Sequence, residues 1–267
     1  MTTLFNQRFF IEKPDRSNLL MAGFVAAWIL SMIALPISRW VFGDVALTWG
    51  VLAAALFQVT AVFVILMQAW GAGRALSTMA VIGLLTWLAE TIGSTTGFPF
   101  GYYHYTDLLQ PQVAGVPLLI PLAWYMMLPP AWAVAQVISG RHNRLVFTLI
   151  SAVALTAWDL FLDPQKVAWG FWVWTDSSRL LAYSGGYFGI PWVNFVGWVL
   201  VAALVTWVVN PPQVPVRPLL VIYGIVWIFQ TVGQLVFWNQ PGPALVGFVA
   251  MGLFLAAAWT APRERWL

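Results

Sequence analysis

Three carboxylates stand where a carboxylate is expensive. Glu90 falls near the end of the apolar run Leu76–Gly93, and Asp159 and Asp163 fall near the end of Leu145–Leu162, Asp163 just past it. A charged side chain at the centre of a membrane helix costs at least ~2.5–3.5 kcal/mol even on the lenient insertion scale, so such residues face a bundle interior. Asp159 and Asp163 are four positions apart, hence on one helix face. Their competing role is to cap a loop or pair with Lys166 and Arg179 near the interface. The other polar side chains within apolar runs are Asn194, Gln230 and Gln234. Each could hold a water or a carboxyl, or act as packing glue between helices. Tyr102, Tyr103, Tyr105, Trp169, Trp172 and Trp174 crowd the two connections that follow the acids. Aromatic faces attract cations. A buried acid beside such rings suits protonation of an alkene to a carbocation, and it equally suits binding a flat polyene without reaction. His104, alone in a loop, reads as exposed, and Asp107 and Asp176, each after a Thr, read as turn or cap residues.

The elements that position these groups follow from composition. Of 267 residues, 61% are hydrophobic and 8% charged, with a mean hydropathy of +0.82; a soluble domain carries about 25% charged residues. No polar shell can be built from this chain, which excludes a free cytosolic globule. Eight apolar runs approach the ~20 residues that cross a bilayer: Leu19–Trp40, Val45–Trp70, Leu76–Gly93, Pro117–Ser139, Leu145–Leu162, Gly189–Val209, Pro218–Trp238 and Pro243–Thr260. The expected fold is all-α, a polytopic membrane bundle of about eight transmembrane helices in a single domain, 1–267.

Nine of the 12 basic residues fall on one side of these spans. This predicts both termini in the cytoplasm, an inner-membrane location, and the connections 94–116 and 163–188 on the opposite face. The first 18 residues read as an interfacial segment, not a cleaved signal. The thinly spread net charge of +3 is no nucleic-acid footprint. The absence of Cys removes disulfides, thiolate metal sites and Cys nucleophiles. Two histidines, His104 and His142, are too few for a His-built metal centre. Without a phosphate loop, H-E-x-x-H or G-x-S-x-G, the chemistries that use ATP, zinc or a serine nucleophile have no foothold.

The two connections are self-similar. E-TIGSTTGFPF-GYYHYTD, from Glu90 to Asp107, matches D-LFLDPQKVAW-GFWVWTD, from Asp159 to Asp176, at a constant offset of 69. After a slip of five, GVPLLIPLAW ending at Trp124 matches GIPWVNFVGW ending at Trp198 at an offset of 74. Acids, Gly, Thr and Pro all keep step, which composition alone does not produce. The reading is a parallel internal repeat, unit 76–139 and unit 145–209, related about an axis along the membrane normal. Repeat interfaces in membrane proteins commonly hold the substrate.

The stretch ETIGSTTGFPFGYYHYTD with GVPLLIPLAWYMM, followed by WDLFLDP, WVWTD and YFGIPWVNFVGW, resembles the integral-membrane carotenoid biosynthesis proteins of the CruF type. These are carotenoid 1,2-hydratases, including the bisanhydrobacterioruberin hydratases. The resemblance covers about Leu76 to Val209, the flanking helices matching only in being hydrophobic. It implies protonation of the terminal double bond of an acyclic carotenoid end, of lycopene or γ-carotene type, and capture of the tertiary cation by water, without a cofactor. It also implies a carotenoid within the bilayer, water and lipids as partners, and other carotenoid-pathway enzymes as neighbours. The second copy loosely resembles the small membrane lycopene cyclases, but where that family carries P-x-E-E the chain reads Pro191-Trp192-Val193-Asn194, and Pro117-Leu118-Leu119-Ile120 in the first copy. A cyclase is therefore the nearest rival, and a transporter or lipophile-binding protein is the rival from another class. The expected acid is Asp159 or Glu90, then Asp163, with Asn194 holding the water. Tyr102, Tyr103, Tyr105, Trp124, Trp169, Trp172, Trp174, Trp198, Gln230 and Gln234 are expected around the substrate.

Overall fold

The computed structural model describes residues 16–140, 143–174 and 186–266. Residues 1–15 of the expected 18-residue interfacial segment, His142, Asp176 and Arg179 lie outside the described residues, and the last three residues of that segment begin the first helix. The apolar runs form eight α-helices: α1 Arg16–Phe42, α2 Val45–Trp70, α3 Ala72–Thr96, α4 Leu119–Ser139, α5 Arg144–Ala168, α6 Trp192–Val209, α7 Val216–Val232 and α8 Pro241–Thr260. Helices satisfy their own backbone groups, which hydrocarbon demands. Seven are long and apolar enough to cross a membrane, α7 together with the turn that follows it, and the chain is a multi-pass membrane protein. The remaining helix, α4, has 21 residues, about 31 Å at 1.5 Å per residue. It carries Pro129 and Pro130 and is the core of the bundle, with 17 residues buried against α2, α3, α5 and α7.

Helix ends follow local chemistry. The Asn143 side chain caps α5 by accepting the backbone N–H groups of Leu145 at 2.8 Å and Val146 at 3.2 Å. Gly97 closes α3 in the left-handed conformation that a side chain would strain. Two expected ends are too early. α3 continues past Gly93 to Thr96, and α5 continues past Leu162, through Asp163-Pro164, to Ala168. A helical proline lacks the N–H that would bond the carbonyl four residues earlier. Here the Tyr187 hydroxyl donates to that Leu160 carbonyl at 2.9 Å, and Gln240 Nε2 donates to the Pro164 carbonyl at 2.9 Å. Tertiary partners thus replace what the proline removes, and all three acids sit inside helices instead of at loop edges.

The connections add short strands: β1 Tyr103–Tyr105, the hairpin of β2 Gln112–Val113 and β3 Val116–Pro117, and β4 Trp172–Trp174. β1 and β4 pair antiparallel, with Tyr103 opposite Trp174, His104 opposite Val173 and Tyr105 opposite Trp172. The central pair, His104 and Val173, is separated by the offset of 69 found in the sequence. Trp124 and Trp198, separated by the second offset, stack with centroids 4.2 Å apart and planes 14° apart.

Candidate active site

Glu90 on α3 is buried and fully engaged. Trp124 Nε1 on α4 donates to its Oε1 at 3.0 Å, the Tyr105 hydroxyl donates to Oε2 at 2.8 Å, and the Tyr103 hydroxyl donates to the same oxygen. Gly93, one turn further along α3, makes this possible. A Cβ there would lie 2.6 Å from the Phe100 ring and 3.1 Å from the Tyr103 hydroxyl, so only glycine lets the β1 tyrosines reach back to the acid. Burial, and next the charge of Glu90, pushes both phenols well above their ordinary pKa. They remain O–H donors.

The second cluster is built differently. Asp159 and Asp163 on α5 lie beside each other and share one donor, Asn194 at the start of α6. Its Nδ2 donates to Asp159 Oδ2 at 3.2 Å and to Asp163 Oδ2. Asp159 is wholly buried, and its Oδ1 has no hydrogen-bond partner among the described residues. The Trp172 indole lies beside Asp163, while Trp174 Nε1 is buried and likewise without a partner.

A cavity of about 580 Å³ connects the clusters, within the ~300–1,000 Å³ of small-molecule sites. Glu90, Asp163 and Asn194 reach it, as do Tyr103, Tyr105, Trp124 and Trp198. Trp169, Trp172, Trp174 and Gln230 complete the expected wall. Three expected residues do not line it. Asp159 stands behind Asn194 and Asp163. Tyr102, in the bend before β1, is exposed, its ring over Gly97. Gln234 no longer shares a face with Gln230, because α7 widens into a π turn at Gly233–Phe237, and it donates instead to the Phe161 carbonyl of α5 at 2.7 Å.

Sequence reasoning missed Lys166 and Trp28 as cavity residues. Lys166 follows Asp163 by three positions, so reading α5 through Pro164 would have found it. Its Nζ lies 4.0 Å from the Trp169 ring centre, and among the described residues it pairs with no aspartate, so the competing interfacial ion pair does not form with it. Trp28 lies on a helix most of whose apolar residues are exposed, and nothing in its spacing marks it.

The family described as carotenoid biosynthesis protein matches residues 50–254, which takes in α2 and α7 as well as the segment carrying the motifs. Bisanhydrobacterioruberin hydratase of Haloarcula japonica is 29% identical over 133 residues, 48% of this chain and 42% of that protein. The chain therefore spans less than half the length of the curated relative it matches. No solved structure matches.

Proposed function

The chain belongs to the carotenoid biosynthesis protein family, and from that premise we propose that it adds water across the terminal 1,2 double bond of an acyclic carotenoid end. The observation that carries the reading is the pairing of two unlike acid clusters across one aromatic cavity. The end group lies between them. Asp163, backed by Asp159, gives its proton to C2 of the terminal alkene, and the positive charge develops at tertiary C1. The Trp124–Trp198 stack and the Glu90 carboxylate face that charge. Water attacks C1, the new C–O bond forms, and the proton lost from the oxygen returns to the aspartate pair. The sum is one water added and the acid regenerated. The bisanhydrobacterioruberin hydratase relative supports hydration over cyclisation, as does asparagine at 194 in place of a cyclase-like carboxylate.

The same reading treats units 76–139 and 145–209 as copies related by a half-turn. An antiparallel ladder maps onto itself under such a rotation, and the β1–β4 register does so about the pair His104 and Val173. The Trp124–Trp198 stack supports it independently. The carotenoid and water reach the site within the bilayer of the inner membrane, both termini facing the cytoplasm.

The test is expression in cells that accumulate lycopene and γ-carotene, followed by product masses. A gain of one water is expected. An isomer of unchanged mass would mean a cyclase, and unaltered carotenes with purified protein would leave only a binding or transport role.

A further inference from the structure

The cavity has a side. α1 packs along α2 and meets α7 and its π turn through two aromatic pairs. Trp28 meets Phe229 edge-on at 6.5 Å, and Trp40 meets Phe237 edge-on at 5.5 Å. Trp28 and Trp40 are 12 positions apart on one helix, which is about 18 Å of rise. Between the two bridges, Ile33 and Ile37 of α1 and Val232 of α7 belong to the cavity wall. They are nevertheless 49%, 50% and 44% exposed. Residues that are at once cavity wall and lipid surface mark an opening. Pro36 stands at this height in α1, and it cannot bond the Met32 carbonyl. The π turn begins on the other side, and such turns are frequent at functional sites.

We propose that this slot between α1 and α7 is a lateral portal, through which a linear, unfunctionalised polyene slides out of the bilayer with its end group leading. The inference rests on the carotenoid reading and specifies how that substrate is held. The occupant follows from the walls. The portal residues between the bridges are apolar, so a chain crossing them gains burial without offering hydrogen bonds. Polar groups begin deeper, at Gln230 and then at the acids. The slot runs continuously into the acid cavity, so a long chain places one end between Asp163 and Glu90 while the rest of it remains between the helices or in lipid. A cyclic or hydroxylated leading end meets the narrow apolar passage first, which makes the portal a selector for acyclic, unmodified ends.

The chain contains no cysteine, which permits a direct test with the whole protein in lipid vesicles. Single variants I37C and V232C report on the portal, A123C on the cavity, and L253C, on the exposed face of α8, on open lipid. Each is labelled with a membrane-soluble maleimide, with and without lycopene. Slower labelling by about tenfold is expected at positions 37, 232 and 123 and no change at 253, because bound ligand excludes the reagent in proportion to occupancy. Protection at 123 without protection at 37 and 232 would overturn the portal while leaving the carotenoid reading in place. Protection nowhere would overturn both. In a second arm, I37W is expected to raise KM for lycopene about tenfold with kcat little changed, the pattern of impaired access without impaired chemistry. A fall in kcat at constant KM would overturn the assignment of this residue to access.

Discussion

Glu90 and Asp159 occupy equivalent positions in the two motif copies, yet their surroundings are opposite. Glu90 receives three donors from β1 and α4, two of them phenols. The second copy has Trp172 and Trp174 in place of those tyrosines, adds a second carboxyl at Asp163, and supplies one amide for both. An ionised carboxylate only accepts hydrogen bonds, whereas a protonated one also donates. Three donors match the accepting capacity of a carboxylate at Glu90, as the proposed role requires. The two aspartates share the Asn194 amide, with the Trp172 indole beside Asp163, and Asp159 Oδ1 has no partner among the described residues, which leaves room for a shared proton. On the proposed reading, in which the two motifs are copies of one unit, the difference in partners assigns Glu90 to steadying charge and the aspartate pair to giving up a proton.

The largest test of this contrast is Asp163→Asn, which keeps the shape and removes the proton. Hydration is expected to fall at least ~10²-fold, the usual cost of losing a general acid, with lycopene binding retained; product formation and binding to the same purified sample decide it. Glu90→Gln is expected to cost about tenfold in rate through weaker electrostatic support of the cation. It should also lower the melting temperature, because the amide cannot accept all three donors and a buried unpaired group costs ~1–3 kcal/mol. If Glu90→Gln is the more severe of the two in turnover, the roles of the clusters are reversed.

How much of this was legible in sequence differs between the same two regions. The acids, the aromatic connections and the offsets were visible because each is a matter of residue type and spacing. The ends of α3 and α5 were not, although the bounds Val45–Trp70 and the closing residues Ser139, Val209 and Thr260 were. Asp163-Pro164 reads as a stop, and only Tyr187 and Gln240, distant in sequence, supply the partners that let α5 continue. That misplaced end hid Lys166, and the repeat offset favoured Asp159, whereas it is Asp163 that lines the cavity. Gln230 and Gln234 looked like one face because a π turn carries no signature in a four-residue spacing. Tyr102 was grouped with Tyr103 by composition, but it lies in the bend before β1 and its ring packs over Gly97 instead.

A middle-sized effect is expected from Asn194→Leu. The variant removes the amide that both aspartates share, so it disturbs the second cluster and leaves the three donors of Glu90 in place. Turnover should fall about tenfold or more, since one positioned hydrogen bond to a charged group is worth ~1.5–3 kcal/mol, and some product should divert to an unhydrated isomer. Normal hydration by this variant would show that the aspartates and the water are held without Asn194.

The smallest effect separates the clusters by pH. The Tyr103 and Tyr105 phenols are raised by burial and then by Glu90, so in the folded chain they keep protons that an unfolded tyrosine loses near its ordinary value of about 10. Below that value the shift does not alter stability with pH. Above it the unfolded state binds fewer protons than the folded one, and stability declines as pH rises. Tyr187, also raised by burial, adds a slope of the same sign, so the informative quantity is a difference between variants. Tyr105→Phe should be less stable than the parent at neutral pH, having lost one donor to Glu90, and the gap between the two should narrow above about pH 10. Trp172→Phe, in the equivalent strand of the second copy, removes no titrating group, and its gap from the parent should stay constant across the same range. Denaturant melts of the three proteins from neutral to alkaline pH measure this directly. Parallel curves for parent and Tyr105→Phe would mean that the phenol is not held as a neutral donor, and the distinction between the clusters would then rest on Asp163 alone.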